Sequence, residues 1–331
     1  MVKTGHEKHN SPLVSIVVPI YNVEPYIRNS MFSVVNQTYK KIEIILVDDG
    51  CQDNSVAIAS EIFKAAGMTF VTIKQQNMGM AMARNTGLLH ANGQWILFLD
   101  SDDILHKEAI EKMIDVASNN DVDFVFPDFE TIEFDDEIKP LPIDYQTYIQ
   151  PKRELMIDFL LRKIIILAPG TLFKTVILKE NKLFFKNIRF SEDRCFVWDM
   201  LRVINHGANI KGVLYYYVIR SGSIMRSTKL KSILEIYPTM KEVQLKMQND
   251  PSVPNIVKKF LLPRWVLGIL RSGSRLLDKR DFPILIQEFE ARKNAKILLF
   301  FPDIRIKLVA LVLFFSPRLY YKIFKNHYFS R

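Results

Sequence analysis

Apolar and polar positions fall into blocks along the first hundred residues, and the way each block ends identifies its element. Val14-Ser15-Ile16-Val17-Val18-Pro19 is a short β-branched run, read as a parallel strand covered on both faces and stopped by Pro19. Ile27, Met31, Val34 and Val35 then recur at helical spacing behind Pro25, a residue suited to a helix start. Ile42 to Val47 repeats the strand pattern and ends at Asp48-Asp49-Gly50-Cys51; Asp53 is placed to cap a helix with Val56, Ala59, Ile62 and Phe63 on one face. Thr69 to Ile73 is a third strand, followed by Asn77-Met78-Gly79 and a small-residue helix carrying Arg84 and Asn85. Asn92-Gly93 turns the chain into Trp95-Ile96-Leu97-Phe98-Leu99, an uninterrupted apolar run that stops at Asp100-Ser101-Asp102-Asp103. Four strands alternating with three helices predict a doubly wound parallel sheet.

The last of these runs carries the chemistry. In open α/β sheets ligands bind beyond the carboxyl ends of the strands, and three close carboxylates there repel one another unless a cation sits among them. Oxygen-only ligands favour Mg2+ or Mn2+, with a nucleoside diphosphate completing the shell. The competing reading is a solvated acidic turn before a helix, because Asp is also a good N-cap.

At 331 residues, 48% hydrophobic and 24% charged, the chain is globular and long enough for an α/β domain with an appendage. Cys51 and Cys195 lie far apart with no CxxC pair, which excludes a disulfide framework and a zinc finger and suits a reducing compartment. The polar start, Met1 to Pro12, is expected to be a loose arm and not a signal peptide.

The formal charge of +9 is unevenly spread. From Arg226 to Arg331, 21 Lys and Arg stand against 8 Asp and Glu, whereas the preceding residues are net acidic. In this third Leu261 to Leu277 is amphipathic and Arg-rich, and Ile297 to Phe324 is strongly apolar but broken by Pro302, Asp303, Arg305, Lys307 and Pro317. Its longest uncharged run, Leu308 to Pro317, is well short of the roughly 20 residues needed to span a bilayer. Charges interleaved with long aliphatic runs suit the surface of an anionic membrane better than nucleic acid, which favours an aromatic-studded basic face. The alternative is a buried helix against a partner subunit, so self-association stays open.

The ordered series Val17-Val18-Pro19-Ile20-Tyr21-Asn22, Val47-Asp48-Asp49-Gly50, Asn77-Met78-Gly79 with Ala83-Arg84-Asn85, and Phe98-Leu99-Asp100-Ser101-Asp102-Asp103 resembles glycosyltransferase family 2. The resemblance implies a GT-A fold, that is, a Rossmann-like, mostly parallel sheet flanked by helices, here with a basic helical C-terminal extension. It divides the chain into an arm (1–12), a catalytic domain (13–225, with 13–115 for the nucleotide sugar and 116–225 for the acceptor) and a helical region (226–331). By position, Pro19 and Tyr21 would line uracil and Asp49 would accept its imide N–H. Asp48 is read as structural. Arg84 would reach the ribose or phosphates, or else lie on the surface. Asp102 would bind the metal, and Asp100 the ribose hydroxyl or a metal-bound water. Phe190-Ser191-Glu192-Asp193 resembles the family's Glu-Asp motif, so Asp193 is expected as general base with Glu192 in reserve; first-turn helix acids favoured by the dipole are the plain alternative.

Ala168-Pro169-Gly170-Thr171-Leu172-Phe173 is expected as a turn feeding a short helix near the acceptor, and Arg220 or Ser223 as phosphate contacts or plain loop. The expected activity is inverting, metal-dependent transfer from a nucleotide sugar, a UDP-sugar by preference, to a saccharide hydroxyl. The acceptor is expected to be lipid-linked, and the enzyme to sit in the cytoplasm on the inner membrane face and to act in surface-glycan synthesis. A degenerate scaffold that only binds the nucleotide sugar is the alternative. Phosphoryl transfer is disfavoured, since its nucleophilic Asp normally ends the first strand, where Pro19 stands.

Overall fold

The structure, a computed structural model, describes residues 11–134, 145–219 and 229–325. Arg220, Ser223 and most of the N-terminal arm lie outside these. The described residues divide into two compact units: 11–134, 145–151, 166–187 and 203–219 form the first, and 152–165, 188–202 and 229–325 the second.

In the first unit the opening strands are β1 (Val14–Ile20), β2 (Ile42–Asp48), β3 (Phe70–Lys74) and β4 (Trp95–Phe98), joined by helices α1 (Glu24–Val35), α2 (Ser55–Ala65) and α3 (Met80–His90). They are parallel and ordered β3-β2-β1-β4, so the strand order reverses between β1 and β4. Every residue of β1 is buried, as expected of a strand covered on both faces. One face of the sheet, with Val14, Ile16, Val18, Leu46 and Leu97, joins Ile27, Met31, Ile62 and Phe63 in a single core. The helix starts hold each other: Asp53 accepts from the Ser55 and Glu24 amides, and Glu24 accepts from that of Asn54. Asp53 therefore serves two helices.

Pro19 does not end β1. The strand runs on to Ile20, with Pro19 opposite Val47. The ladder to β4 ends with Val17 opposite Phe98, and Val17 accepts from the Leu99 amide. Pro19, two residues on, turns its missing donor to that same side, where no pairing is left to break.

The second half of the sheet is mixed. After β5 (Ile104–Leu105) and α4 (Ala109–Asn119) come β6 (Phe124–Glu133), β7 (Gln146–Pro151), β8 (Leu172–Lys174), α6 (Thr175–Glu180) and the 14-residue β9 (His206–Ile219), with α5 (Lys152–Leu161) and α7 (Glu192–Val203) between them in sequence. β6 and β9 pair in parallel, while β5, β7 and β8 pair antiparallel with their neighbours. β8 enters antiparallel between β4 and β6, so Leu172-Phe173-Lys174 form a strand where the sequence suggested a turn leading straight into a helix. Leu97 and Val125 both pair with Leu172, a register that needs only three residues.

The second unit holds α5 and α7 together with α8 (Leu230–Leu234), α9 (Ile236–Asn249), α10 (Asn255–Leu276), α11 (Phe282–Glu288), α12 (Ala291–Leu298), α13 (Ile304–Phe315) and α14 (Pro317–Lys325). The helical region thus takes in two helices that lie before residue 226. Pro317 divides the apolar run by starting a new helix, as proline in a first turn does. No helix among the described residues is long and apolar enough to cross a membrane.

Candidate active site

The carboxyl ends of β1, β2 and β4 lie at one edge of the first unit, next to the strand-order reversal, where the fold favours a ligand. At the end of β2, Asp48 accepts the amides of Gly50 (3.1 Å) and Cys51 (2.8 Å), which makes it a turn residue. Asp49 is 2% exposed and holds a second loop in place. Its Oδ1 accepts from Gln75 Nε2 (2.7 Å) and the Met78 amide (2.9 Å), and its Oδ2 from the Gly79 amide (2.9 Å). Gly79 sits at φ +88°, a conformation that only glycine adopts at no steric penalty, and this turns its N–H onto the carboxylate. A carboxylate has about four lone-pair sites, so three donors leave Asp49 room for another.

Gln75 escaped the sequence reading. Its amide donates to Asp49 while its Oε1 accepts from Thr86 Oγ1 (2.6 Å), tying β2, the end of β3 and α3 together. Its only sequence signal was a polar residue just past the third strand.

Pro19 is buried, and Tyr21, one residue beyond β1, is 46% exposed. Asn22 follows at φ +48° and accepts the Gln52 amide (2.8 Å), drawing the loops after β1 and β2 together. A bare aromatic ring beside a buried carboxylate can stack a planar base and read its edge.

At the end of β4 the three acids have three different surroundings. Asp100 Oδ1 lies 2.6 Å from Arg84 Nη2, and Arg84 is 1% exposed, with its guanidinium 5.1 Å from the Phe185 ring centre. Arg84 is therefore a buried counter-ion under the motif and not a surface residue. Asp103 is buried as well, accepting from the Tyr215 hydroxyl and the Val218 amide (2.8 Å). Burial, then the charges of Asp102 and Asp100, push its carboxyl well above the ordinary range. Asp103 thereby anchors the acidic turn to β9, a role that the Tyr215-Tyr216-Tyr217 run did not disclose. Asp100 and Asp102 are both partly exposed.

Among the described residues no group of three or more His, Cys, Asp or Glu side chains is arranged to hold a metal by itself. Asp102 and the second oxygen of Asp100 are nevertheless the hard oxygen donors that a divalent cation would take, with a diphosphate and water left to complete its shell. Close by in the sheet, Pro169 bridges to Phe98, and the Gly170 amide donates to the Phe98 carbonyl (2.9 Å). The 168–173 stretch thus lies beside the strand that delivers the acids.

Glu192 and Asp193 belong to the second unit, in the first turn of α7. Ser191 before them is held at φ +60°, an uncommon conformation for a residue with a side chain. Asp193 accepts the Arg194 amide (2.7 Å), and both acids are partly exposed. Cys195 is buried, and burial first, then Asp193, raises its thiol far above the ordinary value, so it is no nucleophile.

The sequence profile described as Glycosyl transferase family 2 matches residues 15–180. The putative glycosyltransferase EpsH of Bacillus subtilis (strain 168) is 33% identical over 237 residues, 69% of this chain and 68% of that protein. The poly(ribitol-phosphate) beta-glucosyltransferase of Bacillus spizizenii is 33% identical over 218 residues, 64% of this chain and 33% of that protein. Among solved structures, S. aureus TarS 1-349 in complex with UDP-GlcNAc superposes with a TM-score of 0.72 at 19% identity, covering 95% of this chain and 89% of that one.

Proposed function

The chain belongs to glycosyl transferase family 2 and is a glycosyltransferase of GT-A fold; on that premise we propose that it transfers a sugar from a UDP-sugar, with inversion, to a saccharide hydroxyl during surface-glycan assembly. The observation that carries this reading is the edge that sets Tyr21 and Asp49 at the ends of β1 and β2 and Asp100 and Asp102 at the end of β4. Tyr21 and Pro19 line the uracil, and the open lone pair of Asp49 accepts its imide N–H. Asp100, held by Arg84, takes the ribose hydroxyl or a metal-bound water, and Asp102 is the direct ligand of Mn2+ or Mg2+. The cation supplies Lewis-acid stabilisation of the departing diphosphate. Arg84 contributes through Asp100, since the two are in direct contact.

Asp193 is the general base that takes the proton of the acceptor hydroxyl, with Glu192 in reserve. A carboxylate is a weak base in water, so its effect comes from placement and from a hydroxyl that becomes acidic as the glycosidic bond forms. UDP-GlcNAc in the TarS complex supports a UDP-sugar in this reading.

The enzyme works at the cytoplasmic face of the membrane on a lipid-linked acceptor. Support comes from an apolar stripe in the second unit: Ile304, Leu308, Leu311 and Phe315 are spaced as one face of α13 and are all exposed, and Leu319 and Ile323 continue it on α14. Arg305, Lys307, Arg318 and Lys322 lie among them.

The deciding experiment measures UDP release and UDP binding across a panel of UDP-sugars with Mn2+ or EDTA. Metal-dependent release from one donor is expected. Asp102→Ala should lower the rate by roughly 100-fold or more, as loss of several kcal/mol of charge stabilisation implies. Asp193→Asn should abolish transfer while keeping UDP affinity. Absence of UDP binding under both conditions would sink the donor-site assignment.

A further inference from the structure

The second unit contains a group of arginines that transfer chemistry at the β1–β4 edge does not use. Arg264, Gly268 and Arg271 follow one another at steps of four and three along α10, which puts them on one face. A Cβ built on Gly268 would lie 3.0 Å from Arg162 Nη2 and 3.7 Å from Arg194 Nη1. The guanidinium of Arg162, past the end of α5, and that of Arg194, in the first turn of α7, therefore both hang over Gly268, between Arg264 and Arg271. Four guanidiniums from three segments converge there.

No ion pair is formed by Arg162, Arg194, Arg264 or Arg271 among the described residues. The Nε atoms of Arg264 and Arg271 are buried and have no hydrogen-bond partner. Burial, then Arg194, lower the proton affinity of Arg264, where Asp303 partly offsets them. Tyr320 faces the group but supplies no charge. Its hydroxyl donates to the Leu267 carbonyl (3.2 Å), and burial raises its phenol well above the ordinary value despite the arginines. Arg271 also lies over the Phe324 ring, 5.1 Å from its centre. Arg162 is exposed, and Arg194, Arg264 and Arg271 are partly so, which leaves the cluster reachable from solvent.

Packing alone would be served by lysine stems or apolar side chains. A set of planar guanidiniums with orphaned buried donors matches a multivalent oxyanion, which arginine binds through paired N–H groups. We propose that this cluster binds a phosphate or diphosphate group carried by a ligand other than the donor nucleotide. Two sources share that chemistry: a phosphate in a water-soluble acceptor and the phosphate of a membrane lipid. Gly268 is what makes room, since any side chain there would press on Arg162. The inference does not depend on the transfer activity, because it is read by binding.

The test is calorimetric titration of the full chain with inorganic pyrophosphate in EDTA, for wild type, Asp102→Ala, Arg162→Gln and the pair Arg264→Gln with Arg271→Gln. Pyrophosphate should bind wild type and Asp102→Ala alike and weaken by roughly tenfold or more in each arginine variant, as loss of charge-assisted hydrogen bonds implies. Arg162→Gln changes an exposed side chain and so answers even where the pair fails to fold. No binding to wild type, binding lost in Asp102→Ala, or binding unchanged in Arg162→Gln would each overturn the proposal. Vesicles of phosphatidylglycerol then distinguish the sources. Vesicle binding lost in the same arginine variant identifies the lipid phosphate, and vesicle binding kept while pyrophosphate binding is lost identifies a soluble ligand.

Discussion

Asp100 sits beside Asp102 and Asp103, and close like charges repel one another. Arg84 offsets this from below: its guanidinium is almost wholly enclosed and 2.6 Å from Asp100. A buried pair adds little net stability over an apolar substitute, but breaking one side of it is expensive, because the other charge is left uncompensated. Arg84→Met is therefore expected to lower the unfolding free energy by about 3 kcal/mol. Adding Asp100→Asn should return a good part of that loss by removing the stranded charge. Urea unfolding of the two single variants and the double variant measures the coupling, and additive losses would show that the pair does not act as a unit. Arg84 in the sequence Ala83-Arg84-Asn85 could be reached only through the resemblance. Nothing in its spacing showed that a residue so often found at surfaces would lie under the carboxylates.

At the scale of elements, the edge that carries the acids depends on how β4 is delivered to it. Glu43 on β2 accepts from the Ser15 hydroxyl on β1 and from the Asn92 and Gly93 amides (2.9 Å for Gly93) in the turn leading to β4. Burial alone would raise its carboxyl, but these hydrogen bonds outweigh it and hold the group below the ordinary glutamate value. A depressed folded-state value contributes stability that is fully present above the unfolded value and is lost as pH falls through the folded one. Glu43→Gln should thus cost roughly 1 kcal/mol at pH 7, discounted because the group is partly open to water. The difference from wild type should shrink as pH falls below about 4. Urea midpoints from pH 7 to pH 3 test this, and a gap that does not change with pH would show that the charge is not what matters.

The strands β1, β2 and β4 were legible because runs such as Val14–Ile20, interrupted only by Ser15, and Trp95–Phe98 are apolar and end in turn residues. β8 was not, because three residues in a strand are ordered by the partners on either side and carry no period of their own. The same limit hid Gln75 and Tyr215. Each is defined by what it touches across the sheet, whereas Asp49, Asp100 and Asp102 stand at strand ends that the pattern itself marks.

At the scale of the whole molecule, α13 is apolar nearly all round. Ala310 and Leu313 are buried, while Ile304, Leu308, Leu311 and Phe315 stand 41 to 72% exposed. A helix that is hydrophobic on every side belongs in a core or against an apolar medium, and one face of this helix has neither within the second unit. Burying such side chains fully is worth about 1.5–3 kcal/mol each, so partial insertion of the stripe into an interface gives several kcal/mol, comparable to one acyl chain. One acyl chain alone holds a protein only marginally, and a second signal is needed. The 21 Lys and Arg from Arg226 onward supply it, at about 1 kcal/mol for each one near an anionic surface. The two signals predict different losses. Leu308→Glu with Phe315→Glu should reduce binding to phosphatidylglycerol vesicles at least tenfold at any salt concentration, and leave UDP binding intact. Raising salt should weaken the wild type progressively without touching the apolar contribution, since surface charges are screened beyond about 8 Å at 0.15 M. Sedimentation with vesicles of neutral and of anionic lipid separates the two, and equal binding to both kinds would assign attachment to the stripe alone. If the glutamate variants instead kept full vesicle binding and changed their sedimentation coefficient in the absence of lipid, the stripe would be a contact between copies of the chain.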